Sequence, residues 1–227
     1  MSNTITEKKN AALKAVEQVQ SGMILGLGTG STAYFAIEAI GEQWQAGTLT
    51  DIQAIPTSEA TAKQASSYGI PLLELADVDR IDLTIDGADE FDPQLRLIKG
   101  GGGALFREKL VAFASDKMLI ISDASKEVQY LGAFPLPVEV LPKAIRLVQR
   151  VLTEKNCQPV LRKQKDGSPY LTDNQNYILD CHLGKIDNPE QLDLMLHLVP
   201  GIVETGLFLG LATQVIVGQG DDVKVFE

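Results

Sequence analysis

The chain has 227 residues, of which 44% are hydrophobic and 22% charged, and its formal net charge is −10 from 30 acidic and 20 basic side chains. This length supports one large domain, or one domain plus a small one, around a core that needs neither disulfide nor metal. The acidic balance excludes nucleic acid or an anionic membrane surface as the main partner, but leaves room for a small anion held by local positive potential.

Thr4-Ile5-Thr6-Glu7 has the form of a capping box and predicts a helix carrying Leu13, Val16 and Val19, stopped by Ser21-Gly22. This polar start has no apolar signal core, and no later run approaches the roughly 18 apolar residues that span a bilayer, so a cytoplasmic location is expected. Met23–Leu27 predicts a strand, followed by Gly28-Thr29-Gly30-Ser31-Thr32 and a helix from about Ser31 to Gln45. Ile52–Pro56 reads as a strand and Ser58 as the N-cap of a helix ending before Gly69. Two further apolar runs follow, Ile70–Leu75 and the strand Ile81–Ile85, then come Asp86-Gly87-Ala88-Asp89-Glu90 and the glycine run Gly100–Gly103. A helix over Ala104–Ser115 and a strand over Met118–Ile121 complete an alternation that predicts an α/β, Rossmann-like fold: a mostly parallel sheet with helices on both faces.

After Pro135 the order changes. Strand Val138–Leu141, helix Lys143–Glu154, strands Pro159–Arg162 and Tyr177–Cys181, helix Pro189–Leu198 and strand Ile202–Phe208 spell β-α-β-β-α-β, a small ferredoxin-like α+β domain. Gln214–Val217 and Val223–Phe226 are expected to return to the first domain. The predicted boundaries are 1–132 with 208–227 for the α/β domain and 133–207 for the small one. Cys157 and Cys181 form no CxxC pair and read as reduced thiols.

Four loops carry residues suited to chemistry. Gly28–Thr32, between a strand and a helix, offers backbone N–H groups and three hydroxyls to a phosphate. It lacks the lysine of a Walker A loop, and its plain alternative is a tight turn with a serine cap. Asp86-Gly87-Ala88-Asp89-Glu90 follows a strand, where open parallel sheets bind ligands. Its carboxylates suit sugar hydroxyls and proton transfer, with a divalent-metal site or a solvated acidic turn as alternatives. Lys99-Gly100-Gly101-Gly102-Gly103 spends four glycines before a helix, as close approach of a ligand to the backbone requires. On that helix Glu108 shares a face with Leu105 and Ala112, where partial desolvation raises a carboxyl toward the range of a general base. An exposed glutamate paired with Arg107 or Lys109 is the plainer alternative. Asp123-Ala124-Ser125-Lys126 ends another strand on the same rim, and Lys8 is a further anion contact or a surface lysine.

The segments GTGSTA (28–33), DGADE (86–90), KGGGGAL-REK (99–109), DASK (123–126) and FPLPVEV (134–140) closely resemble type A ribose-5-phosphate isomerase. TDNQNYILD (172–180) and PGIVETGLF (200–208) extend the resemblance over nearly the whole chain. It implies interconversion of ribose 5-phosphate and ribulose 5-phosphate through an enediol(ate), in the non-oxidative pentose phosphate pathway, by a homodimer or homotetramer without metal or cofactor. It implies Glu108, Asp86 and Lys99 as catalytic residues. Thr29, Gly30, Ser31, Thr32, Asp86, Gly87, Ala88, Asp89, Lys99, Gly100, Gly101, Gly102 and Lys126 would contact the sugar phosphate. Thr57-Ser58-Glu59-Ala60-Thr61, a longer Gly41–Asp51 connection and Leu209–Gln214 depart from the family pattern. A non-catalytic sugar-phosphate sensor and a CoA-transferase-like enzyme are the rival readings. The two histidines, His182 and His197, fall in the small domain, away from this chemistry.

Overall fold

Short apolar runs separated by amphipathic stretches dictate alternating strands and helices, and the computed structural model, which describes residues 2–227, has that order. In chain order the elements are α1 (Ser2–Val16), β1 (Ile24–Leu27), α2 (Ala33–Gln45), β2 (Gln53–Pro56), α3 (Glu59–Ser67), β3 (Leu83–Gly87), β4 (Glu90–Phe91), β5 (Leu97–Ile98), α4 (Leu105–Phe113) and β6 (Met118–Asp123). There follow β7 (Leu136–Val140), α5 (Ile145–Glu154), β8 (Pro159–Leu161), β9 (Tyr177–Cys181), α6 (Pro189–His197), β10 (Ile202–Thr205), β11 (Leu207–Phe208), β12 (Gln214–Gln219) and β13 (Asp222–Phe226). Among the described residues no helix is long and apolar enough to cross a membrane.

The chain divides into two compact units. The first comprises residues 1–88, 107–126 and 210–227. Its six-stranded sheet runs β13-β12-β6-β3-β1-β2, parallel except for β13, which folds back antiparallel on β12. All six residues of β6 are buried, as expected for a parallel strand covered on both faces. Leu119 and Ile121 join one apolar cluster with Ala11 and Ala15 of α1 and Ile37 and Ile40 of α2, while Val111 of α4 packs with Ile55 and Ile81 in another. The order of connection reverses between β1 and β3. At such a switch point the loops after the two strands diverge to opposite faces and leave a crevice at their carboxyl ends.

The second unit comprises residues 89–106 and 127–209. A four-stranded antiparallel sheet, β10-β7-β9-β8, carries the ferredoxin-like order expected from the sequence. Leu136, Val138 and Val140 of β7, Val148 and Leu152 of α5 and Leu196 of α6 share one core with both cysteines. A separate three-stranded sheet, β11-β5-β4, has no counterpart in the sequence reading, since its strands are only two residues long.

Two expectations, on the start of α1 and on Ile202–Phe208, need correction. Helix α1 already runs from Ser2, so Thr4 lies within its first turn rather than at a cap. In the apolar run Ile70–Leu75, Pro71 has no N–H to donate, Leu72 makes a single bridge to Ala54, and Leu75–Asp77 forms a 3₁₀ turn. Ile202–Phe208 is two strands in two sheets, broken at Gly206, whose N–H donates to Pro137 O (2.7 Å) and whose carbonyl accepts from Lys99 N (2.9 Å).

Two outcomes are expected. A Cβ on Gly26 of β1 would lie 1.9 Å from Thr84 Oγ1 and 2.6 Å from Val111 Cγ1. Gly26→Ala is therefore expected to cost about 1–3 kcal/mol and to lower Tm by several degrees in calorimetry. Burial pushes both thiols up, Cys181 the further of the two with added repulsion from Cys157 and Asp180. The folded chain then keeps thiol protons that the unfolded chain releases above about pH 8.5, so stability falls as pH rises through that range. Iodoacetamide at pH 8.5 is expected to label the native protein at least about tenfold more slowly than the guanidinium-unfolded chain.

Candidate active site

In the first unit, β1 ends at Leu27 and the chain passes directly into Gly28-Thr29-Gly30. A Cβ on Gly28 would fall 2.1 Å from Asp86 Oδ1, so only glycine lets this loop lie against the aspartate at the end of β3. Asp86 is fully buried, and its Oδ1 accepts from Thr29 N (3.1 Å) and Gly87 N (2.7 Å). With the Thr29 bond, this carboxylate oxygen ties the loop after β1 to the end of β3.

Thr29 anchors the same loop on its other side. Its hydroxyl lies 2.7 Å from Thr57 Oγ1, 2.9 Å from Ser58 Oγ and 3.2 Å from Thr61 Oγ1. Thr61 Oγ1 donates to Gly28 O (2.8 Å), and Ser58 Oγ caps α3 by accepting from Thr61 N (3.1 Å). Gly30 and Ser31 stay exposed at the start of α2, with Gly30 at φ +112°, a conformation that side chains rarely tolerate. The α2 cap residue Thr32 makes no side-chain capping bond. Lys8 Nζ donates to Ser31 Oγ (3.0 Å) and lies 3.8 Å from Asp123 Oδ2, so the lysine sits at this loop rather than in open solvent. Lys126 is half-buried in the 3₁₀ turn that follows β6. Glu108 is only 4% exposed, on the α4 face that also buries Leu105, Val111 and Ala112. Arg107 reaches Glu59 at 2.8 Å.

In the second unit the remaining acidic residues of the DGADE segment have separate tasks. Asp89 Oδ2 accepts from Gly101 N (2.7 Å), while Glu90 accepts from Gly132 N (2.7 Å) and Phe134 N (2.5 Å). Lys99 is 2% exposed, with its ammonium 5.4 Å from the centre of the Phe208 ring. Gly101 and Gly102 are exposed. A Cβ on Gly101 would lie 2.5 Å from Asp89 Oδ1, which explains a glycine there.

The carbonyls of that loop are held from behind by residues that sequence reasoning missed. Arg162 Nη1 donates to Gly100 O (2.9 Å) and Gly101 O (3.2 Å), and Tyr170 Oη donates to Gly102 O (3.3 Å). Asp180 fixes the guanidinium through Nε (2.9 Å) and Nη2 (2.5 Å). With three carbonyls drawn to one side, the glycine run is a braced loop with its amide groups set. Arg162 follows β8 and Asp180 lies in β9 opposite Val160, so the fold pairs them and no short stretch of sequence does.

The sequence profile of "Ribose 5-phosphate isomerase A (phosphoriboisomerase A)" matches residues 53–222. The chain is 49% identical over 231 residues to ribose-5-phosphate isomerase A of Parvibaculum lavamentivorans, covering 99% of each. It is 49% identical to that of a Synechococcus strain, covering 96% of this chain and 95% of the other. A solved D-ribose-5-phosphate isomerase in complex with phospho-erythronic acid superposes with TM-score 0.96 at 38% identity, covering 99% of both chains. Ribose 5-phosphate isomerase A from Methanocaldococcus jannaschii gives 0.92 at 39%, covering 97% of both.

Arg162→Met removes the loop's brace while keeping most of the side-chain volume. Amide hydrogen exchange at Gly101–Gly103 is expected to accelerate at least about tenfold, with exchange in β6 unchanged. Unaltered exchange at the glycines would show that the loop needs no brace.

Proposed function

The chain belongs to the ribose 5-phosphate isomerase A family and interconverts ribose 5-phosphate and ribulose 5-phosphate, and we propose how its residues divide that work. The full-length match removes the sensor and the CoA-transferase readings. Phosphate binds at Gly30, Ser31 and Thr32, where the start of α2 offers N–H groups and a partial positive charge, with Lys8 and Lys126 supplying cationic charge. Thr29 shapes this loop from its hydroxyl cluster. Anchoring the phosphate spends remote binding energy on placing the reacting carbons.

Asp86, with Gly87, Ala88 and Asp89, holds the sugar hydroxyls, and Asp86 assists opening of the furanose by proton transfer with the ring oxygen. Glu108 then removes the proton from C2. The C–H electron pair forms the C1=C2 double bond, and the carbonyl pair moves onto O1. Lys99 and the amides of Gly100, Gly101 and Gly102 stabilise this enediolate. Transfer of the O2 proton to O1 and return of the C2 proton by Glu108 to C1 leaves the ketone at C2. Atoms and electrons balance without an external oxidant or a metal. Phospho-erythronic acid, held by one solved relative, offers a planar carboxylate where the enediolate places its oxygens, which supports the same route.

The observation that carries this reading is the burial of Glu108 on a helix that directly follows the glycine run. A carboxylate so shielded keeps water away from a proton that must return to the same substrate. We also assign the chain to a cytoplasmic homodimer or homotetramer, supported by Leu194 and Leu198, 69% and 83% exposed one helical turn apart.

Ketose formation from ribose 5-phosphate is expected to be insensitive to EDTA. Glu108→Gln is expected to lower kcat by about 10²–10⁴-fold with a small change in KM. A variant retaining more than about a tenth of wild-type kcat removes Glu108 from the role of base.

A further inference from the structure

His197 ends α6, and both of its ring nitrogens face atoms that only accept hydrogen bonds. Nδ1 lies 2.9 Å from the backbone carbonyl of Asp193 and 3.4 Å from its Oδ1, and Nε2 lies 2.9 Å from Glu204 Oε1. A neutral imidazole has one N–H, so it satisfies one side and turns a lone pair toward an acceptor on the other. The arrangement calls for a cation, either a second ring proton or a metal ion.

We propose that Asp193, His197 and Glu204 form a binding site for a divalent transition-metal ion of the zinc class. One donor atom from each of the three lies within 4.8 Å of the others. Asp193 and His197 are four residues apart on one face of α6, and Glu204 arrives from the adjacent strand β10. One imidazole and two carboxylates are a borderline N/O set suited to zinc, with room left for water as a fourth ligand. The supports that ligands require are also present: Thr205, fully buried, donates through Oγ1 to Asp193 Oδ1 and through its N–H to Glu204 Oε1 (2.8 Å). Donation of Nδ1–H to the Asp193 carbonyl leaves Nε2 as the donor to the metal. His182, the other histidine, is no part of this group. The ion would join the last turn of α6 to β10, a structural staple for this unit, and would take no part in the isomerisation.

The test is calorimetric titration of the EDTA-treated full-length chain with zinc chloride, followed by thermal unfolding. One ion per chain is expected, with a dissociation constant on the order of a micromolar and a Tm raised by about 5 °C at saturation. Cobalt(II) is expected to give visible d–d absorption from a low-symmetry N/O site. His197→Gln and, separately, Glu204→Gln are expected to weaken zinc binding at least about tenfold and to abolish the Tm shift, with isomerase activity unchanged. Absence of heat and of any Tm shift up to millimolar zinc overturns the site, as does undiminished binding by both variants. Nitrogen-15 NMR showing His197 doubly protonated in zinc-saturated protein at neutral pH also overturns it, because the proton is then the cation. The heat, Tm, absorption and NMR readouts do not depend on turnover, so they stand apart from the roles given to Glu108 and Asp86.

Discussion

The carboxylate of Asp86 is the constraint on which the α/β unit's working edge depends. It is fully buried at the end of β3, and a buried carboxylate is tolerated only where donors replace its lost water. Thr29 N and Gly87 N do so on one oxygen, each such charge-assisted bond contributing about 1.5–3 kcal/mol. Because Thr29 belongs to the loop after β1 and Gly87 ends β3, satisfying the charge also fixes that loop against the end of β3, at the point where the sheet reverses its order. Glycine at 28 follows from this contact, since any side chain there would occupy the aspartate's place.

The second unit repeats this logic with a different charge. Arg162 is clamped by Asp180 and directs its remaining donor to the carbonyls of Gly100 and Gly101, while Asp89 accepts from the Gly101 amide. One cation on the carbonyl side and one anion on the amide side orient successive peptide groups of a loop that has no side chains of its own. Nearby, Glu139 of β7 is entirely buried, with Oε1 accepting from Thr172 Oγ1 (3.0 Å) and Asn176 Nδ2 (2.9 Å), while its Oε2 has no hydrogen-bond partner among the described residues. A half-satisfied buried carboxylate is costly. It is sustained here by a turn, Thr172–Asn176, whose side chains converge on it and whose Gln175 adopts a positive φ of 61°.

Most of the first unit was legible because its signals are local. Strand β1 and the first four residues of β6 are apolar runs, Ser58 is a side-chain N-cap, and the glycines of the two loops mark where backbone must approach something closely. The ferredoxin-like order was legible for the same reason, since Tyr177–Cys181 and Ile145–Glu154 carry their periodicity within a few residues. The two-residue strands β4, β5 and β11 were not: β4 and β5 pair locally but are too short to show a period, and β5 meets β11 by joining residues 97–98 to residues 207–208, which no short window contains. Ile70–Leu75 shows the limit of composition: it is an apolar run, but Pro71 interrupts the ladder that composition alone would allow.

The same distinction separates the two kinds of residue in the candidate site. Groups expected to meet the substrate lie in loops or at the element ends beside them, where glycine, hydroxyl and carboxylate residues cluster within a few positions, so their chemistry shows in sequence. The groups that brace those loops need only the right distance, and a folded chain supplies distance from anywhere: Arg162 stands 62 positions from Gly100 and 18 from Asp180. In isolation it is an ordinary arginine beside Lys163 at the end of a strand. A loop of four glycines costs conformational entropy that its own atoms cannot offset. Something distant must therefore hold it, and that requirement could be inferred from Lys99–Gly103 even though the identity of the holder could not.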